Sequence, residues 1–124
     1  MTKRRPKHLD LTKIRLPLPG FVSILHRISG ALLFLLLPVL LCLFQASLGT
    51  ADSFADFKSV LAHPLVKLFL IGLIWAFLHH LCAGIRFLAL DLRIGDDLQP
   101  ARASSVAVLA VSLIMTAIIG VKLW

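Results

Sequence analysis

The chain has 124 residues, 59% of them hydrophobic and 15% charged, with a formal net charge of +7. A soluble domain carries roughly 25% charged residues and a membrane span takes about 20 apolar ones, so this composition predicts three spans with short loops and excludes a separate soluble domain. The positive balance does not point to nucleic acid: seven of the thirteen Lys and Arg fall within residues 1–27, beside the first apolar run, where membrane topology accounts for them.

Residues 1–20 are basic and broken by Pro6, Pro17 and Pro19, which predicts an extended cytoplasmic segment with at most a turn around Asp10 to Ile14. The apolar run behind it is too long for the core of a cleaved signal, so the segment reads as a retained tail. The first span is expected over about 21–48, long enough to require tilt or overhang, with a kink at Pro38. In the loop that follows, Phe54, Phe57 and Leu61 recur at helical spacing and predict a short interfacial helix.

Pro64 suits the first position of a second span, over about 65–90. Gly95 marks a turn in the charged connection from Asp91 to Pro100, and a third span is expected over about 103–124. Ser104, Ser105, Ser112 and Thr116 within it read as packing residues, and Lys122 with Trp124 as an interfacial anchor. Cys42 and Cys82 each lie inside an apolar run and read as small buried hydrophobes; no Cys-x-x-Cys-His occurs, so covalent haem attachment by that motif is excluded. Residues 1–124 thus form one all-α membrane domain. Ten Lys and Arg on the side of the N-terminus and second loop face three on the other side. The N-terminus is therefore expected in the cytoplasm and the C-terminus in the periplasm.

The second span holds His79 and His80, with no charge between Lys67 and Arg86. An ionisable side chain at membrane depth must find a partner and is a functional candidate by default. Ala83 and Gly84 follow His80 by three and four residues, share its helix face and leave a flat slot that suits a planar macrocycle held by a His–iron bond. His79 points about 100° away and cannot bind the same iron from the same helix. On the first span Ser23, His26, Arg27 and Gly30 form one stripe. Helical rise puts His26 about 8 Å and His80 about 15 Å inside the cytoplasmic face, so the two histidines are expected at different depths, with Arg27 at the level of a haem's propionates. The plain alternatives are an Arg27 that snorkels to headgroups, an interfacial His26, and a His80 that only hydrogen-bonds between helices.

Together these residues resemble the cytochrome b subunit family of bacterial succinate dehydrogenase, respiratory complex II. The resemblance runs nearly end to end. Arg5-Pro6, Leu9-Asp10-Leu11, Ile14-Arg15 and Pro17 are similar to the family's N-terminal segment. Ser23-Ile24-Leu25-His26-Arg27-Ile28-Ser29-Gly30 resembles its Ser-x-x-His-Arg-x-Ser/Thr-Gly signature, and His80 with Gly84-Ile85-Arg86 and Asp91 its second signature.

The resemblance implies a subunit of the bacterial inner membrane in a heterotetramer with a flavoprotein, an iron–sulfur subunit and a second membrane anchor. One haem b is shared between the anchors, with His80 as this chain's axial ligand and the other axial His from the partner. Ubiquinone is placed near Ser23 and Arg27, and the haem propionates near His26 and Arg27. His79 beside the ligand position leaves the assignment open by one residue; the spacing to Gly84-Ile85-Arg86 favours His80. The rival readings are a fumarate reductase anchor, a membrane scaffold without haem, and a haem protein using His26 and His80 together, which their depth difference opposes.

Overall fold

The structure, a computed structural model, describes residues 15–124. Residues 1–14 of the N-terminal segment, with the turn expected around Asp10 to Ile14 and most of the basic cluster, lie outside the described residues. Four helices follow: α1 Leu18–Ser47, α2 Ala51–Ala62, α3 Pro64–Asp91 and α4 Leu98–Leu123. Three of them, α1, α3 and α4, are long and apolar enough to cross a membrane, and α3 is central, with α1 and α4 packed against it.

Local chemistry sets the ends. Pro19 does not delay α1, because an N–H missing from the first turn has no helical partner to lose, and the helix starts at Leu18 rather than after Gly20. Helix α1 continues through Pro38. Thr50 caps α2 by accepting from the Ser53 N–H at 3.2 Å. His63 caps α3, its Nδ1 accepting from the Leu65 N–H at 3.3 Å, and Pro64 takes the first helical position.

Helix α3 ends in a left-handed turn: Arg93 has φ 61°, the Ile94 N–H reaches Ala89 O at 2.9 Å and the Arg93 N–H reaches Leu90 O at 3.0 Å. Gly95 follows with φ 74°, the turn its residue type suggests. Helix α4 then begins at Leu98, five residues before the expected start. Pro100 falls in its first turn, where its missing N–H costs nothing.

Outside, the bundle is apolar: Phe34, Leu37 and Val121 are exposed, as lipid-facing positions are. Its contacts inside are made by small and polar residues. Ser105, Val108, Ser112 and Thr116 form the buried face of α4, and their hydroxyls return to their own helix, Ser105 to Ala101 O at 2.7 Å and Thr116 to Ser112 O at 2.7 Å. Small side chains let helices approach closely where lipid supplies no hydrophobic drive.

Arg86, 7% exposed, joins α3 to α4: Nε donates to Ser104 Oγ at 2.9 Å and a terminal N–H to Ala101 O at 3.2 Å. Cys82 is half-buried, but Cys42 is exposed on α1. The buried reading therefore fails for Cys42, because the face of α1 that carries it has no protein neighbour. Both thiols are free.

Candidate functional site

The face of α1 turned to α3 carries Val22, His26, Ser29 and Gly30, successive positions at helical spacing. Opposite them on α3 stand His79, His80, Ala83 and Gly84. The imidazoles of His26 and His80 stack with centroids 4.2 Å apart and planes 6° from parallel. Each ring lies over a glycine of the other helix. A Cβ on Gly30 would come 2.7 Å from His80 Cε1, and one on Gly84 would come 3.6 Å from His26 Nε2. The absent side chains are what let the two rings occupy the seam.

The backbone fixes the proton on His80. Nδ1 lies 3.0 Å from the His26 carbonyl oxygen, which can only accept, so Nδ1 carries the hydrogen. Ser29 Oγ is 3.3 Å from the same nitrogen and donates to His26 O at 2.9 Å. With Nδ1 protonated, the lone pair of a neutral imidazole is on Nε2. No hydrogen bond engages that atom among the described residues, and it is not among the buried unpartnered nitrogens. A ring held through one nitrogen, with the other free and accessible, is the form in which histidine ligates metals.

His79 is placed differently. It is fully buried, its ring centroid 5.4 Å from that of Trp75, and both its nitrogens and Trp75 Nε1 lack partners. It faces the bundle's own interior, where a macrocycle has no access. Of the two neighbouring histidines, only His80 offers a nitrogen to something outside.

Several expectations are revised here. His26 and His80 are not separated by about 7 Å of depth. Because α1 starts at Leu18, three residues early, His26 lies about 12 Å from its helix end against about 16 Å for His80, a gap that side-chain reach covers. Their face-to-face stacking also differs from two nitrogens directed at one iron. Ala83 does not line a slot beside His80: it is fully buried in a core cluster with Val22 and Val108. At three residues from His80 it turns inward, whereas Gly84 at four residues stays on the seam. The stripe on α1 divides, His26 and Gly30 entering the seam, Ser23 half-buried at its margin and Arg27 exposed.

Two members of the site were not singled out in the sequence. Ser29 appeared only as part of the Ser-x-x-His-Arg-x-Ser/Thr-Gly signature, and its signal was the spacing of three from His26. Gly30 was part of the stripe, but nothing local tied it to His80. Behind the stacked pair, Phe87 is tilted against His26 at 5.1 Å, and the Arg86 guanidinium lies 5.3 Å from the Phe87 centroid. Along the same seam runs an apolar groove of about 320 Å³ that shares Ser29 with the site. Gly72 and Ala76 lie on its α3 side, and a Cβ on Gly72 would meet open space.

Among the described residues no group of three or more His, Cys, Asp or Glu could hold a metal ion, and what α3 offers in this apolar seam is the His80 imidazole with Nε2 accessible. The comparisons with known proteins agree with a membrane subunit of this kind. The family described as succinate dehydrogenase/fumarate reductase transmembrane subunit matches residues 1–119. The succinate dehydrogenase cytochrome b556 subunit of Coxiella burnetii (strain RSA 493 / Nine Mile phase I) is 39% identical over 125 residues, 100% of both chains. That of Paracoccus denitrificans is 32% identical over 111 residues, 90% of this chain and 85% of its own length. That of Rickettsia typhi (strain ATCC VR-144 / Wilmington) is 26% identical over 118 residues, 95% and 92% respectively. With three helices able to cross a membrane and a family match over nearly its whole length, the chain is a multi-pass protein of the bacterial inner membrane and belongs to the succinate dehydrogenase/fumarate reductase transmembrane subunit family.

Proposed function

We propose that the chain is the haem-binding membrane anchor of a succinate:quinone oxidoreductase, passing electrons from an iron–sulfur subunit to ubiquinone. The observation that carries this reading is the His80 imidazole, protonated at Nδ1 toward His26 O and open at Nε2, in a chain whose relatives are named cytochrome b556 subunits. His80 Nε2 would be one axial ligand, and the second imidazole would come from the other membrane anchor. No second histidine of the described chain suits that role: His26 is stacked face to face on His80, His79 is enclosed, and His63 caps the far end of α3.

The site's residues fit such a group. Its seam is apolar, the glycine floors remove steric bulk, and a cation stands at the margin in Arg27. That guanidinium would suit the propionates, which it can pair with in bidentate fashion, and His26 would approach them from inside the seam. A haem b bound there supplies a one-electron carrier beside the quinone site. This chain's own contribution is to hold the axial imidazole in one tautomer, exclude water from its face and place Arg27.

Ser23 and Arg27 would serve the quinone. The Ser23 hydroxyl can donate to a quinone oxygen, and the Arg27 charge favours the reduced, more anionic forms. Two electrons and two protons complete the reduction to quinol, the protons entering from the cytoplasmic side. Succinate oxidation belongs to the flavoprotein partner, since this chain carries no flavin motif and no iron–sulfur cysteine pattern. A second reading, the anchor of a fumarate reductase, is favoured by the family description itself, which covers both enzymes.

The test is purification of the tagged chain from its own membranes. A flavoprotein, an iron–sulfur protein and a second small membrane protein should co-purify, with a reduced-minus-oxidised spectrum of b type. A chain recovered alone and without b-type absorbance would leave the scaffold reading standing. Orientation has its own check. Ten Lys and Arg against three support an N-terminus and Arg93 in the cytoplasm and Trp124 in the periplasm. Reporter fusions at Arg93 should be active only as cytoplasmic reporters, and a periplasmic signal there would reverse the topology.

A further inference from the structure

Toward the end of the bundle where α2 lies, beginning about one turn from the stacked histidines, the four helices do not close on one another. They leave a cavity of about 640 Å³ with eleven lining residues, all apolar. Every helix contributes: Leu33 and Leu40 from α1, Leu61 from α2, Phe77 from α3, Ile119 and Trp124 from the end of α4. The space opens to the outside of the bundle, where Phe77, Leu123 and Trp124 are exposed, and apolar pockets of roughly 300–1,000 Å³ are those that hold ligands.

The rim says what kind of molecule enters. Trp124 lines the cavity, and Lys67 Nζ stands 6.0 Å from the centroid of its ring. Lys67 is half-buried, and the one ion pair among the described residues lies elsewhere, between Arg93 and Asp96. Lys122 is in the last turn of α4, next to the lining residue Leu123. The carboxylates of α2, Asp52 and Asp56, lie in its first half, more than a turn before Leu61. An apolar shaft with an indole and an ammonium at its mouth matches the layers of a phospholipid, with the chain inside and the charge at the interface.

We propose that this cavity binds one acyl chain of an anionic phospholipid, with its phosphate at Lys67 and the Trp124 indole at the interfacial level. A quinone tail is the less suited occupant. Its uncharged isoprenoid chain makes no use of Lys67, although Leu33 of the lining lies only about 9 Å along α1 from Arg27. The proposal requires only that the chain crosses the membrane, so it stands or falls independently of the haem and quinone assignments.

The experiment uses the intact complex in nanodiscs carrying phosphatidylglycerol or phosphatidylcholine with a photoreactive diazirine in the acyl chain, followed by peptide mapping. Phosphatidylglycerol should label Leu70, Leu78 and Ile119 in the cavity more strongly than exposed Phe34 and Leu37 on the outer face of α1. One lysine at the interface is worth about fivefold in anionic-lipid binding, so phosphatidylcholine should label the cavity about fivefold less. Lys67→Gln should bring phosphatidylglycerol down to the phosphatidylcholine level, Lys67→Arg should preserve the preference, and Ile74→Trp, which fills the cavity, should remove cavity labelling by both lipids. Three results would each overturn the proposal: cavity labelling no stronger than at Phe34, equal labelling by the two lipids, or loss of labelling when excess long-chain ubiquinone is added. Lys67→Gln changes one interfacial side chain, so the test remains decisive if Ile74→Trp does not assemble.

Discussion

His80→Ala should abolish the low-spin b-type spectrum of the purified complex, while His79→Ala leaves it low-spin. The two residues are adjacent, so the contrast separates ligation from general disturbance of α3. His80 presents Nε2 outward because Nδ1 is committed to His26 O at 3.0 Å. His79 has neither nitrogen at the surface. Removing the His80 ring takes away the iron ligand and also opens the seam over Gly30. The measurement is the pyridine haemochrome content together with the low-spin electron paramagnetic resonance signal. Full haem and an unchanged low-spin signal in His80→Ala would move the ligand to another residue.

A companion variant tests the cradle without touching the ligand. Gly30→Ala sets a methyl 2.7 Å from His80 Cε1 and 3.2 Å from Nδ1, so the ring must turn or the helices must part. Residues that orient a ligating histidine typically change metal affinity about 10- to 100-fold when altered, and haem retention in Gly30→Ala should fall within that range. The g-values of any haem retained should shift, as the imidazole plane rotates. Wild-type retention and g-values would show that the seam opens in the assembled complex and that Gly30 does not set the ring.

The spans were legible in the sequence, and His80 was marked out there as the candidate ligand, for different reasons. Long apolar runs bounded by proline and charge identify helices almost unaided, which is why α1 and α3 begin and end within three residues of expectation. His80 stood out by its spacing to Gly84 and Arg86. The stacking of His26 on His80 was not legible, because it depends on the register between two helices that are 54 residues apart at this contact. Each residue of error in a helix start changes depth by about 1.5 Å, and three such residues at Leu18 separate a pair of unrelated levels from a pair in contact.

Ala83 failed for a related reason. Residues three and four positions from His80 straddle it, and only the position of α4, which buries Ala83 against Val108, decides which one faces inward. Arg86 looked like the end of a span, yet it is held by Ser104 and Ala101. Its partners lie on a helix whose early start was hidden by Pro100.

Ser23→Ala and Arg27→Leu should each lower quinone reductase turnover tenfold or more, a loss of about 1.4 kcal/mol or more of transition-state stabilisation. The residues lie one turn apart at the start of α1, where the helix's inward face ends: Ser23 is half-buried at the margin of the seam and Arg27 is exposed. A quinone ring at that margin meets a hydroxyl that can donate to its oxygen and a guanidinium cation. Both interactions strengthen as negative charge develops on the ring, so their loss should appear in turnover more than in quinone affinity. The control is succinate oxidation with an artificial acceptor that takes electrons upstream of the membrane. It should remain near the wild-type rate, because the soluble subunits are unaltered. Haem content must be measured in the same preparations, as Arg27 also stands where a propionate would be paired. Loss of haem together with loss of quinone reduction in Arg27→Leu alone would assign that residue to the propionates. The same loss of turnover with full haem in Ser23→Ala identifies the quinone contact, because a serine at the outer margin of the seam has no part in holding His80. If both variants assemble with full haem and reduce quinone at the wild-type rate, the quinone site is elsewhere, and these two side chains only position the first span.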